Sequence, residues 1–274
     1  MDRHTTTPQH GPRLLPPEML AARLYELAAG AVPRVLAVVA HPDDVESLCG
    51  GLIAALGAAG ATIGYVLLTS GDKGSPDPDV DPLALAAVRE AEQLAAAAVL
   101  GVADVTFLRY RDGEVADDGP TREAVAAQLR RFRPDLLIAF DPWHAYTFHN
   151  DHRQAGFVAL AAARALAPRP GPACGPDGAL VADRAPGHVT REAWLFLTAR
   201  PDVIVDIAPG IELKIAARIA HACQAVDAAA VALGIRTRAE TTGTPYAVPL
   251  AETFRTIPLP RDDSFIARLQ AGEW

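Results

Sequence analysis

Short, almost uninterrupted apolar runs spaced by helix-length segments are the feature that most restricts how this chain can fold. Val35-Leu36-Ala37-Val38-Val39-Ala40 contains no polar side chain. A run of that length and character belongs in a parallel sheet covered on both faces. Thr62–Thr69, Val105–Leu108 and Leu136–Phe140 repeat the pattern, the last launched by Pro134-Asp135. Between them the spacing predicts helices over Gly50–Gly60, over Pro82–Leu100 ended by Gly101, and over Thr121–Phe132 with Thr121 as its cap. Strands alternating with helices across short connections predict βαβ units, hence an α/β protein with a Rossmann-like three-layer sandwich and a mostly parallel sheet. The chain has 274 residues, half of them hydrophobic, and no linker separates two cores. The expected organisation is an N-terminal tail and helix over residues 1–30 and a single domain over 31–274.

The flanking segments are less regular. Residues 1–16 are polar and proline-rich and read as a loose tail, before a helix over Pro17–Ala29 with Leu20, Leu24 and Leu27 on one face. A helix opens at Asp151 or His152 and runs to about Leu166. Residues 168–190, with Pro168, Pro170, Pro172, Pro176 and Pro186, break the alternation and read as a long loop that covers a substrate entrance. Next come strands at Ala193–Leu197 and Val203–Val205 and a helix over Ile211–Leu233, and the last 40 residues look less regular.

Charge and composition exclude several functions. A net charge of -8 argues against a nucleic-acid partner. No apolar stretch reaches the roughly 20 uncharged residues of a membrane span, and the start lacks the apolar core of a secretory signal. Cys49, Cys174 and Cys223 are too few and too scattered for a disulfide framework or a thiolate metal site, which fits a reducing, cytoplasmic setting. The first strand does not lead into the glycine-rich loop of a dinucleotide enzyme. Oligomeric state, a homo-oligomer included, is left open.

Instead, the first strand leads directly into Ala40-His41-Pro42-Asp43-Asp44-Val45-Glu46. Ligands bind outside the carboxyl ends of strands in open α/β sheets. Adjacent carboxylates there repel, and a divalent cation relieves that repulsion. Taken alone, an Asp-Asp pair after a strand is usually a helix cap. A second cluster, Phe148-His149-Asn150-Asp151-His152, stands after the fourth strand, where caps do not explain two such groups. His41, Asp44 and a histidine of the second cluster make an ordinary ligand set for catalytic zinc with one position open. Asp43 and His149 are then free for proton transfer and charge stabilisation. Several neighbours read two ways. Gly50-Gly51 either admits a substrate to the backbone or serves tight packing. Trp143 either lines a ligand site or pins its loop. Arg89 either faces substrate or forms an exposed i,i+3 pair with Glu92. Glu46 is either a buried supporting acid or a first-turn helix carboxylate, Cys49 reads as a small buried hydrophobe, and His221 as a packed helix histidine or a pocket residue.

His41-Pro42-Asp43-Asp44-Val45-Glu46 resembles the HPDDxE signature of the PIG-L/LmbE-like N-acetylglucosaminyl deacetylases, and His149-Asn150-Asp151-His152 resembles their HxDH signature. Thr69–Gly74, Arg89–Glu92, Asp112-Gly113, Arg133–Asp135, Asp206, Lys214 and His221–Gln224 fall in the family's order, so the resemblance covers roughly residues 35 to 230. It implies a zinc-dependent hydrolase that removes an N-acetyl or N-acyl group from a small-molecule amino sugar or its conjugate. It further implies His41, Asp44 and His152 as zinc ligands, Asp43 as general base, a protonated His149 that holds the oxyanion or acts as general acid, and Asp151 orienting a histidine; whether Asp43 or His149 protonates the leaving amine stays open. Ferrous iron suits the same ligands. Some members carry a tyrosine two residues before the first histidine of HxDH; here that residue is Thr147, with Tyr146 one earlier, so Tyr146 carries the oxyanion contact only by proximity. Arg89, Tyr146 and Trp143 are the candidate substrate contacts. Kept beside this reading are an amidase of thiol conjugates, a deacylase of a glycosylated natural product, and a non-catalytic carbohydrate-binding module.

Overall fold

The computed structural model describes residues 11–145, 147–166, 173–174, 180–181 and 188–259. The apolar run at Val35 forms β2 (Arg34–Val39), whose side chains from Val35 onward are fully buried. β2 pairs in parallel with β3 (Thr62–Thr69) on one side and with β5 (Leu136–Phe140) on the other. β4 (Asp104–Tyr110) adds to β3 in parallel, and β8 (Glu192–Phe196) adds to β5 in parallel. The eight-stranded order is β1-β9-β10-β8-β5-β2-β3-β4, where β1 is Arg13–Leu15, β9 Val203–Asp206 and β10 Ala251–Pro258. In this sheet β10 runs antiparallel to both its neighbours, β8 and β9.

Helices cover both faces. α1 (Pro17–Leu27) buries the expected Leu20, Leu24 and Leu27. α5 (Gly119–Phe132) and α6 (Asn150–Leu166) pack together on one face, whereas α3 (Gly50–Ala58), α4 (Pro82–Val99) and α7 (Ile211–Ile219) associate on the other. The alternation read from the sequence is therefore the fold, a mostly parallel α/β sheet between helical layers. The chain steps from β2 to β3 to β4, then returns to place β5 on the opposite side of β2. The reversal between β2 and β5 is the topological switch point, and both His/Asp clusters emerge there.

The structure departs from the sequence expectations at four places. Within the stretch expected to be a loose tail, Arg13–Leu15 forms edge strand β1, paired in parallel with β9; so short a strand has no local signal and exists through its partner. The cap of α5 is Asp118, whose Oδ1 accepts from the Thr121 amide at 2.9 Å, in place of Thr121. The helix expected over Ile211–Leu233 is two: α7 ends at Ile219, a short turn carries His221–Gln224, and α8 (Ala228–Gly243) restarts with Asp227 as cap. The break is anchored from outside, because Glu92 accepts from the Cys223 amide at 2.8 Å and Gln224 Nε2 donates to the Gly74 carbonyl at 2.8 Å. The irregular C-terminal stretch contains β10, hidden from the periodicity by Glu252 and Arg255.

The 168–190 loop, with its expected role as an entrance cover, lies largely outside the described residues. Within it, β6 (Ala173–Cys174) pairs antiparallel with β7 (Leu180–Val181). Among the described residues no helix is long and apolar enough to cross a membrane.

Gly51 serves packing. A Cβ built there would lie 2.6 Å from Ile207 Cβ, so α3 meets the segment after β9 only because position 51 lacks a side chain. Gly51→Ala should therefore destabilise the protein by about 1–3 kcal/mol of overpacking, a fall of several degrees in Tm. Thermal unfolding of Gly51→Ala, Ile207→Ala and the double variant tests this: removal of Cγ2 and Cδ1 should make the double variant lose less than the sum of the single losses, and additive losses would contradict it.

Candidate active site

The backbone creates the site. At the end of β2, Asp44 turns its carboxylate back so that Oδ2 accepts from the amides of Ala40 (3.1 Å) and His41 (2.7 Å). α2 (Asp44–Leu48) starts there, and Asp43 is driven to φ 90°, ψ -11°, the left-handed region. Aspartate tolerates that region better than most residues, yet it remains strained backbone of the kind concentrated at functional sites. Gln93 of α4 holds the turn: its Oε1 accepts from the Asp43 amide (3.1 Å) and its Nε2 donates to Glu46 (2.8 Å).

His41 is nearly buried and used on both nitrogens. Nε2 faces two carboxylates, Asp112 Oδ1 at 3.1 Å and Asp151 Oδ2 at 3.4 Å. Asp112 lies just beyond β4. Asp151, at the start of α6, is fully buried and accepts from the Gly113 (2.6 Å) and Val115 (3.2 Å) amides. Such carboxylates fix the imidazole's orientation and leave Nδ1 free to face the other way. Nδ1 lies 3.2 Å from His152 Nε2 and 3.6 Å from Asp44 Oδ2, and His152 Nε2 lies 3.2 Å from Asp44 Oδ1. The His152 ring is sandwiched, stacked on Phe140 at the end of β5 (4.3 Å) and on His149 (4.3 Å).

These separations can be tested against a bound cation. Three donors arranged tetrahedrally at 2.0–2.2 Å from one ion stand about 3.3–3.6 Å apart. The His41–His152 separation and that of His152 from Asp44 Oδ1 are close to that size, while His41 approaches Asp44 through its other oxygen, Oδ2, at 3.6 Å. The structure also brings His149 within reach of His41 and His152, and Asp112 with Asp151 within reach of His41. Asp112 and Asp151 accept from backbone amides and face His41 Nε2; Asp44 likewise accepts two amides on Oδ2 but keeps Oδ1 facing His152. Charge points the same way. Four carboxylates (Asp43, Asp44, Asp112, Asp151) meet the guanidiniums of Arg89 and Arg218 and the His41 ring, which they hold protonated, so one negative charge is left without a counterpart.

The ionisable groups report the same imbalance. For His41, burial disfavours the charged form, but the carboxylates of Asp112, Asp151 and Asp44 outweigh it and push the pKa up to about 11. Asp44 is held far below the usual carboxylate range: burial opposes this, and His152 and His41 overcome it. Asp43 is raised, by burial first and by neighbouring Asp44 second, against the pull of Arg218 and Arg89. His149 is lowered, by burial and then by the His152 and His41 rings, so it is neutral at neutral pH.

The remaining candidates divide. Arg89 is buried, donates to the carbonyls of Pro42 (2.7 Å) and Gly71 (3.1 Å) and stands 3.8 Å from Asp43, which overturns the exposed pairing with Glu92. Gly71 and Gly74 owe their identity to it, since a Cβ at either would lie 2.1 Å from Arg89 Nη1. Glu46 and His221 are both fully buried, 3.3 Å apart, and Glu46 stands in the first turn of α2, so it is a buried acid and a first-turn helix carboxylate at once. Cys49 is buried. Trp143 is 61% exposed and sets its ring against Phe157, with no ring contact to the histidine cluster among the described residues. Tyr146 lies outside the described residues. Sequence reasoning assigned no role to Asp112, Gln93 or Arg218. Asp112 could have been found at a strand end inside a matching block, whereas nothing in the local pattern marks Arg218.

Residues 36–163 match the family described as PIG-L: GlcNAc-PI de-N-acetylase. A diacetylchitobiose deacetylase of Thermococcus kodakarensis is 33% identical over 193 residues, 70% of each chain. A 1D-myo-inositol 2-acetamido-2-deoxy-α-D-glucopyranoside deacetylase of a Mycobacterium species is 33% identical over 240 residues, covering 72% of this chain and 76% of that protein. Among solved structures, the N,N'-diacetylchitobiose deacetylase from Pyrococcus horikoshii in complex with an inhibitor superposes with a TM-score of 0.71 at 28% identity, over 90% of this chain and 97% of that one. With both signatures at the switch point and this similarity extending over most of each chain, the protein belongs to the PIG-L family.

Proposed function

We propose that this chain is a metal-dependent N-deacetylase, which hydrolyses the acetamido or other N-acyl group of an amino sugar or amino-sugar conjugate. The observation that carries the reading is the convergence of His41, Asp44 and His152 beyond the ends of β2 and β5, with the Asp43 carboxylate next in the chain to Asp44. The relatives' names, deacetylases of N-acetylated amino sugars, support it.

His41, Asp44 and His152 would hold the cation; two imidazoles and a carboxylate suit zinc, and ferrous iron as well. When bound, such an ion supplies Lewis acidity, polarising an acyl carbonyl and acidifying water. Asp43 serves as the general base. Its carboxylate is steered by Arg218 at 3.3 Å and Arg89 at 3.8 Å, and its raised pKa gives it more basicity than an ordinary aspartate. Water adds to the acyl carbon as Asp43 takes its proton, and negative charge develops on the acyl oxygen. His149 is the group available to donate to that oxygen. Burial and the His152 and His41 rings lower its pKa, which favours an N–H donor role for its ring. Collapse breaks the C–N bond, and the proton held by Asp43 reaches the departing amine, directly or through His149. Asp112 and Asp151 act only through His41, by holding its ring.

Chelation should abolish acetate release from N-acetylglucosamine conjugates, and returned zinc or ferrous iron should restore it. His152→Ala should purify with far less than one metal per chain, and full occupancy in that variant would contradict its role as a ligand. Asp43→Asn should retain its metal and lose kcat by a factor on the order of 10² or more. His149→Gln should lower kcat more than it changes KM. Near-wild-type kcat in metal-loaded Asp43→Asn would remove the base assignment.

A further inference from the structure

Arg218, 3.3 Å from the base, also lines a cavity of about 360 Å³ that the reaction described above does not use. It opens on the same edge of the sheet. His144, from the segment after β5, and Thr198, after β8, line it, as does Ser47, four residues beyond Asp43.

Its charge is unlike that of the molecule. The chain carries -8 overall, yet the cavity is lined by Lys214, Arg218 and Arg238 against a single acid, Glu252. Glu252 is already committed: it accepts from Lys214 Nζ at 2.6 Å and from the amides of Gly51 and Leu52 at the start of α3. Arg218 is only half-compensated. It donates Nε to Ser47 at 2.9 Å and lies 3.3 Å from Asp43, which it shares with Arg89, while its Nη1 is buried with no partner. Arg238, on α8, has no hydrogen-bond or ion-pair partner among the described residues and lines the cavity. Two guanidiniums thus stand with less than one carboxylate between them. Arginine in that condition matches the flat, two-oxygen geometry of a carboxylate or phosphate.

We propose that this cavity is a substrate subsite for an oxyanion carried on the aglycone of the amino sugar, with Arg238 as its specificity-determining contact. It rests on the deacetylase reading. An N-acyl group presented to Asp43 leaves the rest of the conjugate directed past Arg218 into the cavity, whose volume is at the small end of the roughly 300–1,000 Å³ of ligand pockets. Arg218 therefore joins the two sites, steering the base on one side and neutralising the aglycone on the other. The overall acidity of the chain disfavours polyanionic substrates at long range, and the local arginines select a single anionic group at short range.

The test compares three N-acetylglucosaminides that differ only in aglycone, 3-carboxypropyl, 3-phosphonooxypropyl and n-butyl, on metal-loaded wild type, Arg238→Gln and Arg238→Lys. Wild type should favour an anionic aglycone over butyl. Arg238→Gln should reduce that preference by about 10- to 100-fold, through KM, as expected for a lost charge-assisted hydrogen bond. Arg238→Lys should keep part of it, and the anion with the larger loss identifies the carboxylate or the phosphate as the preferred group. No preference in wild type, or an equal effect of Arg238→Gln on all three aglycones, would overturn the subsite. Hydrolysis of the butyl glycoside separately reports the deacetylase reading. If none of the three is hydrolysed, calorimetric titration of the corresponding free glucosaminides still reads the cavity: tighter binding of an anionic one that Arg238→Gln abolishes supports it, and equal binding overturns it.

Discussion

The carboxylate of Asp44, folded back onto the amides of Ala40 and His41, is the contact on which the rest of the site depends. It ends β2 and begins α2 in one step. It forces the left-handed backbone at Asp43, which separates that side chain from its neighbour's. Two adjacent aspartates thereby receive opposite environments. Asp44 becomes a stable anion among amides and imidazoles, while Asp43 becomes a raised, partly desolvated base between two guanidiniums. Environment assigns different roles to the same side-chain type through the same effects that shift any pKa.

The turn is stable because distant segments each supply it with a buried contact. α4 sends in Gln93 and Arg89, the loop after β4 sends Asp112, α6 sends Asp151, and α7 sends Arg218. A parallel sheet makes this convergence simple, because every strand of β2–β5 and β8 delivers the loop after it to the same edge. Glu252 does a similar service on the far side, holding the start of α3 and Lys214 together. In the proposed site, the surplus of negative charge that pushes His41 up to about 11 is the same surplus that a cation would neutralise.

The inner part of this architecture is plain in the sequence. Val35–Ala40 and Leu136–Phe140 are buried on both faces, so their apolar continuity is the physical signature of central parallel strands. His41, Asp44, His149 and His152 could be placed near one another because each cluster stands just beyond such a strand. Harder to read were elements made by partners. β1 exists through β9. β10 hides behind Glu252, whose burial makes sense only beside Lys214 and the start of α3. The break at His221 is fixed by Glu92 and Gly74, far away in sequence. Arg218 and Gln93 were illegible for the same reason: a helix periodicity says which face is buried, and it does not say against what. Asp112 was visible as part of a motif block but not as a partner of His41, since that pairing is set by the register of β3 with β4.

The central claim is the identity of the donors, and three overlapping sets share His41: His41 with Asp44 and His152, His41 with His149 and His152, and His41 with Asp112 and Asp151. They differ in how many imidazoles they offer. X-ray absorption spectroscopy at the zinc edge of the zinc-loaded protein counts them directly through their multiple scattering. The account predicts two imidazole nitrogens and carboxylate or water oxygen at about 2.0–2.2 Å, with no sulfur. One imidazole, three imidazoles or a sulfur scatterer at about 2.3 Å would contradict it.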